Sequence, residues 1–370
     1  MAGRFAQLYR DADRFLQEYT EGLRAQDLGR VFRREAPDAY RALIRDHGRD
    51  EEPGLWPRIR VAFLALSYQL TPARRALFAL GLVLGLVGLL ELDIRLGFGL
   101  IDLWELVAPL GIGLLVLVLT LELADRIRVR DELEVARKQQ RDLLPEDSPP
   151  IPGFTVSHSY RTANTVGGDY YDFLPLEDGR WLLVAGDASG HGMSAALLMV
   201  IAKTALEIGA DRNSSPDSVA GVVHRALQGT GGRRGFLTLF CGRLTPETGT
   251  LEHVCAAHPF PLVRRVGGEI EELGEGSLPL GLPREPRLST RTTDLGPGDL
   301  LLLYSDGLPE TVNPRTKETF GYERIRRALA RGGSPAKVHD QILSEYTSFL
   351  GGEAPTDDQS LVVLGRNPEG

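Results

Sequence analysis

The chain has 370 residues, 42% hydrophobic and 25% charged, a balance that supports at least one domain of ordinary size and excludes wholesale disorder. A net charge of −8 argues against binding nucleic acid through bulk electrostatics, so no nucleic-acid partner is expected. Cys241 and Cys255 are the only cysteines, and their spacing fits neither a zinc site nor a disulfide framework, which leaves two free thiols in a reducing cytosol. The opening MAGRFAQLYRDADRF is charged and lacks the apolar core of a secretion signal.

Residues 1–70 are polar and Arg-rich with scattered Leu, Phe and Tyr, the pattern of short amphipathic helices, and they carry no chemical motif. An all-α N-terminal region is expected there, either a sensing segment or a plain lead-in. Two uncharged stretches follow, Ala76–Leu90 and Leu106–Leu121. Each is slightly shorter than the ~18–20 residues usual for a transmembrane helix, and each can be extended into its flanks. Arg58, Arg60, Arg74 and Arg75 precede the pair with no acid among them, and Arg126, Arg128 and Arg130 follow it. The positive-inside rule therefore reads residues 74–121 as a transmembrane hairpin with both termini in the cytosol. Gly81, Gly85 and Gly88 fall on nearly one helical face, where small residues let helices approach closely. A buried helical hairpin of a soluble domain is the alternative.

Residues 122–148 read as a charged linker helix stopped by Pro145. Val129, Leu133, Ala136, Gln140 and Leu143 follow a 4-3-4-3 spacing, the mark of a short coiled coil and so of a homodimer through this helix. A solvated linker helix fits equally well. Ser148–Pro152 (SPPIP) marks a boundary, and residues 149–366 form the next domain.

After Gly153 the pattern changes to strands and turns. Trp181–Ala185 (WLLVA) and Leu300–Tyr304 (LLLLY) are unbroken apolar runs, as expected of strands buried on both faces. Leu237–Leu244, Thr250–Cys255, Leu262–Val266, Glu269–Leu273 and Ser360–Leu364 also read as strands, with Gly267-Gly268 as a hairpin turn. Met193–Gly209, Ser215–Leu227, Tyr322–Arg331 and Ser334–Leu350 read as helices. Clustered strands with grouped helices predict an α+β layered sandwich rather than a βαβ repeat.

Acidic residues stand in four unusual settings. Asp169 follows Gly167-Gly168, Asp187 follows WLLVAG, Asp306 follows LLLLYS, and Asp357-Asp358 precede the final strand. A strand end holds a carboxylate rigidly, and adjacent glycines let backbone and ligand come close. If these acids converge, their repulsion demands protons or a cation, and an oxygen-only donor set suits Mg²⁺ or Mn²⁺. Two such ions would activate water and neutralise phosphate oxygens, with no protein nucleophile required.

The ordered blocks Val166–Asp172 (VGGDYYD), Gly186–Gly192 (GDASGHG) with Ser194–Met199, Phe236–Phe240, Ala257–Pro259, Leu303–Gly307 and Asp357–Leu361 closely resemble the SpoIIE/RsbU-type branch of the metal-dependent (PPM) Ser/Thr protein phosphatases. The resemblance covers roughly residues 143–365 and implies a PPM-type β-sandwich flanked by helices, with two metal ions at one end. It implies that Asp169 serves mainly one ion and that Asp187 bridges both, with the carbonyl of Ala188 as a further ligand. It also implies that Asp306 and Asp357 complete the ligand set of the second ion, Asp358 being the one-residue alternative to Asp357. The family often has Pro-Ala before its Gly-Gly-Asp, where this chain has Thr162-Ala163. Arg161 is a candidate phosphate-binding group. His191 is either a general acid or a plain loop histidine, and Asp172 either orients waters or caps a turn.

The expected function is thus a metal-dependent protein serine/threonine phosphatase of bacterial signalling, tethered to the cytoplasmic membrane with its catalytic domain in the cytosol. The resemblance implies a phosphorylated STAS-type anti-sigma-factor antagonist as substrate, attacked by metal-activated water. An inactive phosphoprotein-binding module and a small-molecule phosphomonoesterase are the alternatives.

Overall fold

A computed structural model describes residues 70–89, 103–163, 166–190, 192–210, 215–230 and 235–368, in two units, Met1–Ile127 and Arg128–Gly370. The expected N-terminal region before residue 70 and the hairpin connector at 90–102 lie outside the described residues.

The first unit contains helix α1 (Pro72–Leu89) and the larger part of helix α2 (Leu103–Arg141). Pro72 opens α1 where its missing N–H has no intrahelical partner to lose. The two helices run antiparallel and very close. A Cβ on Gly111 would lie 2.5 Å from the Gly85 amide nitrogen, and one on Gly88 would collide with Ala108. At the open end Arg74 Nη1 reaches Asp125 at 2.6 Å and Glu122 at 3.3 Å. The faces turned away from this contact are apolar: Leu110, Ile112, Val116 and Leu119 are each more than half exposed. Two helical stretches among the described residues are long and apolar enough to cross a membrane, Val107–Glu132 and Met193–Ala210. The second is an ordinary core helix of the other unit, with nine buried residues.

The second unit is an α+β sandwich of two five-stranded antiparallel sheets. One has the order β1 (Phe154–Arg161), β10 (Gln359–Arg366), β9 (Leu300–Tyr304), β6 (Leu262–Arg264), β7 (Ile270–Glu272). The other has the order β2 (Asp169–Pro175), β3 (Trp181–Ala188), β4 (Leu237–Thr245), β5 (Thr250–Ala256), β8 (Arg291–Asp294). Helices α3 (Met193–Ala210) and α4 (Pro216–Thr230) pack on the second sheet, and α5 (Tyr322–Ala330) and α6 (Pro335–Leu350) on the first.

The side-chain period of two explains the apolar run in β9. Leu301 and Leu303 enter the main core between the sheets, while Leu300, Leu302 and Tyr304 enter a second core with Ile325, Val338, Ile342 and Tyr346 of α5 and α6. In β10, Val362 and Leu364 face the main core, and Leu361 and Val363 the second. These strands are fixed from both faces, so the residues at their ends are fixed too.

Strands β1, β2 and β8 were not among the sequence expectations. All three are edge strands, and none carries clean apolar alternation: FTVSHSYR, DYYDFLP and RTTD. Replacing Leu302, fully buried in the second core, with Ala is expected to cost about 2–5 kcal/mol of stability in a urea titration.

Candidate active site

Strand topology gathers the acids at one end of the sandwich. In the antiparallel β2–β3 ladder the first residue of β2, Asp169, lies directly opposite Asp187 near the end of β3. In the other sheet β9 runs out into Ser305-Asp306 beside the start of β10, which Asp357-Asp358 precede. The Asp358 carboxylate joins the two sheets: Oδ1 accepts the Ala163 N–H at 2.9 Å, and Oδ2 accepts the Gly168 N–H at 2.7 Å.

Two glycines permit this closeness. A Cβ on Gly168 would stand 2.7 Å from both the Asp187 carboxylate and the Ala188 carbonyl oxygen. A Cβ on Gly307 would overlap the Asp358 carbonyl and sit 3.4 Å from the Asp357 side chain. Only glycine fits at either place.

The electrostatics follow from burial and like charge. Asp169 is 1% exposed. Burial first, then Asp187, push its carboxyl well above the usual range, against an opposing hydrogen bond from Ser305, while Asp358 and Asp306 add to the rise. Asp187 is pushed up to about 8 by burial and then by Asp306, Asp357 and Asp358. Asp306 is pushed up to about 6 by burial, Asp357 and Glu310. Asp169 Oδ2 is buried with no hydrogen-bond partner among the described residues. The carboxyls share one region, yet among the described residues no group of three acidic, imidazole or thiol side chains stands ready to hold one ion; ionised carboxylates repel one another.

The expected site residues divide clearly. Asp169, Asp187, Ala188, Asp306, Asp357 and Asp358 come together. Asp358 is buried, and both its oxygens accept backbone amides, whereas Asp357 is exposed and, among the described residues, accepts only from the Asp358 N–H, at 2.9 Å. Arg161 ends β1 opposite Gln359, next to this acidic pair, and is exposed. Asp172 does not join them. Three residues beyond Asp169 it takes the opposite face of β2, where it accepts from Tyr170 Oη and Lys203 Nζ, each at 2.7 Å. His191 lies outside the described residues.

Sequence reasoning missed Thr238, whose hydroxyl accepts the Asp187 N–H at 3.2 Å and pairs with His258 Nδ1 at 2.9 Å. His258 is buried and pushed down to about 3 by that burial, so it is neutral at physiological pH. Both residues lie in blocks already recognisable in the chain, but their pairing is tertiary. A cleft of about 440 Å³ adjoins Asp306 and is lined by Thr238, His258, Phe260, Tyr304, Glu310 and Tyr322 among others.

The raised carboxyls set a pH dependence in the absence of divalent ions. A folded-state pKa above the unfolded value near ~3.9 adds stability below that value and loses it as pH rises through the folded pKa. With chelator present, the melting temperature should therefore fall between about pH 4 and pH 8, the span set by Asp306 and Asp187. Asp187→Asn should flatten that fall, as measured by calorimetry.

Known proteins resemble the chain in sequence and in fold. The family model described as Stage II sporulation protein E (SpoIIE) matches residues 177–367. The phosphoserine phosphatase RsbU of Bacillus subtilis is 24% identical over 241 residues, covering 64% of this chain and 71% of that protein. Protein IcfG of Synechocystis sp. is 24% identical over 266 residues, 64% of this chain, and the match spans only 42% of IcfG. The SiaA-PP2C domain of Pseudomonas aeruginosa superposes with a TM-score of 0.57 at 19% identity, covering 65% of this chain and 98% of that domain, a likeness of fold. The family match takes in just over half of the chain and includes Asp187, Asp306 and Asp357; with its PP2C-like fold, the chain belongs to the SpoIIE family of phosphatases.

Proposed function

We propose that the chain is a membrane-tethered protein serine/threonine phosphatase of bacterial signalling that works with two divalent cations, Mn²⁺ or Mg²⁺. The observation that carries this reading is the buried Oδ2 of Asp169, without a hydrogen-bond partner among the described residues, one strand away from an Asp187 held up near 8 by burial and by other acids. Oxygen donors whose charged forms have no counter-charge beside them fit a hard cation. Asp169 would hold one ion, Asp187 would bridge both with help from the Ala188 carbonyl, and Asp306 and Asp357 would complete the second set. Asp357 is favoured over Asp358 because the latter already binds two backbone amides. When bound, such ions supply Lewis-acid charge and lower the pKa of water.

The chain's own groups do the positioning. Asp358 holds the Ala163 and Gly168 amides, and Thr238 holds the Asp187 amide. Neutral His258 buttresses Thr238 rather than carrying a proton. Exposed Arg161 offers a counter-charge to phosphate. The cleft beside Asp306, with Phe260 and Tyr322 in its wall, gives a polypeptide carrying phosphoserine a surface to lie on. A phosphorylated STAS-type protein is the substrate class favoured by the family resemblance, and RsbU, a relative, is a phosphoserine phosphatase. The exposed apolar faces of α1 and α2 support the membrane tether.

Purified full-length protein should hydrolyse a phosphoserine protein with Mn²⁺ and lose activity in EDTA. Asp187→Ala should lower kcat/KM on the order of a hundredfold or more. Activity that survives both treatments would overturn the metal mechanism, and turnover of p-nitrophenyl phosphate but of no phosphoprotein would favour a small ester as substrate. In cell fractions the chain should stay with the membrane through carbonate and high salt; its release would favour a soluble helical hairpin.

A further inference from the structure

The last turn of α2 reaches the acid cluster. Gln140 is 3% exposed, and its carboxamide engages both backbone groups of a single residue. Nε2 donates to the Gly167 carbonyl at 2.6 Å, and Oε1 accepts the Gly167 N–H at 2.9 Å, so two successive peptide units are held at one residue. This is the hydrogen-bond pattern that a neighbouring strand would offer. The β2–β3 ladder begins at Asp169. Gly168 is held by Ala188, whose N–H donates to its carbonyl at 3.1 Å, and by Asp358. Gly167 has Gln140.

The helix end is itself anchored. Lys203 Nζ donates to the Leu143 carbonyl at 3.0 Å and to Asp172 at 2.7 Å, and Leu144 is buried in the main core. A buried carboxamide has a desolvation cost that an apolar side chain of the same size avoids, so its directional bonds are the feature to explain. They bear on the backbone two residues before Asp169.

We propose that Gln140 is a positioning residue of the active site: its carboxamide serves as a substitute strand for Gly167, and so fixes the turn that presents Asp169 to a divalent cation. This rests on the reading of the acids as a cation site. The linker helix then contributes directly to the site's geometry.

The test is Mn²⁺ affinity of the full-length chain, read by electron paramagnetic resonance, with cooperative melting in EDTA as the check on folding. Gln140→Met keeps the bulk between Tyr160 and Met199 but removes both bonds. Gln140→Leu also removes both bonds, with a branched side chain of similar volume. Both are expected to weaken Mn²⁺ binding about 10- to 100-fold while still melting cooperatively. Lys203→Met, which loosens the same helix end without touching Gly167, is expected to bind as the wild type does. Wild-type affinity in either Gln140 variant would overturn the assignment. So would an equal loss in Lys203→Met, or failure of both Gln140 variants to fold, since each makes the residue a packing element. A wild-type chain that binds no Mn²⁺ would overturn the cation-site reading along with it.

Discussion

Repulsion between carboxyl groups held out of water is the constraint on which the rest of the site depends. Two unit charges about 4 Å apart interact by roughly 4 kcal/mol even at an effective dielectric near 20. Asp169, Asp187 and Asp306 sit where both burial and neighbouring acids disfavour their charged forms. The chain cannot relieve this by moving one of them. Asp169 is tied to Asp187 by strand register, and Asp306 continues a strand that is buried on both faces. Protons or a cation must therefore supply the relief.

The two hydrophobic cores give the arrangement its rigidity. Alternate residues of β9 and β10 enter opposite cores, so shifting either strand by one residue would expose leucines and valines on both sides. Polar contacts then join the sheets. His158 Nδ1 lies 2.9 Å from Tyr171 Oη, linking β1 to β2, and Asp358 spans from the β10 side to the loop before β2. An acid cluster at the shared end of the two sheets is positioned by both.

Much of this was legible in the chain itself, for identifiable reasons. LLLLY and WLLVA are too apolar for half-buried strands, and an Asp just beyond each run marks a strand end. Other parts depend on partners that no local pattern names. Strand β2 begins with four residues, DYYD, that defy alternation because Tyr170 and Asp172 face α3, where Lys203 neutralises the acid. Strand β1 mixes His and Ser among apolar residues because Ser159 meets His339 of α6 at 2.8 Å. The 4-3-4-3 spacing in the linker shows that one helical face is special, but not what covers it. Gln140 at the end of that seam is already buried within a single chain, while Val129 remains more than half exposed.

The most direct test of the central claim is proton release on Mn²⁺ binding, measured by titration calorimetry of the full-length chain in buffers of different ionisation enthalpy. If converging acids hold protons that a cation displaces, binding at pH 7 must release protons, and the release must shrink as pH rises past the value near 8 assigned to Asp187. Mn²⁺ binding with no proton release between pH 6 and pH 9, or no binding at all, would contradict the account.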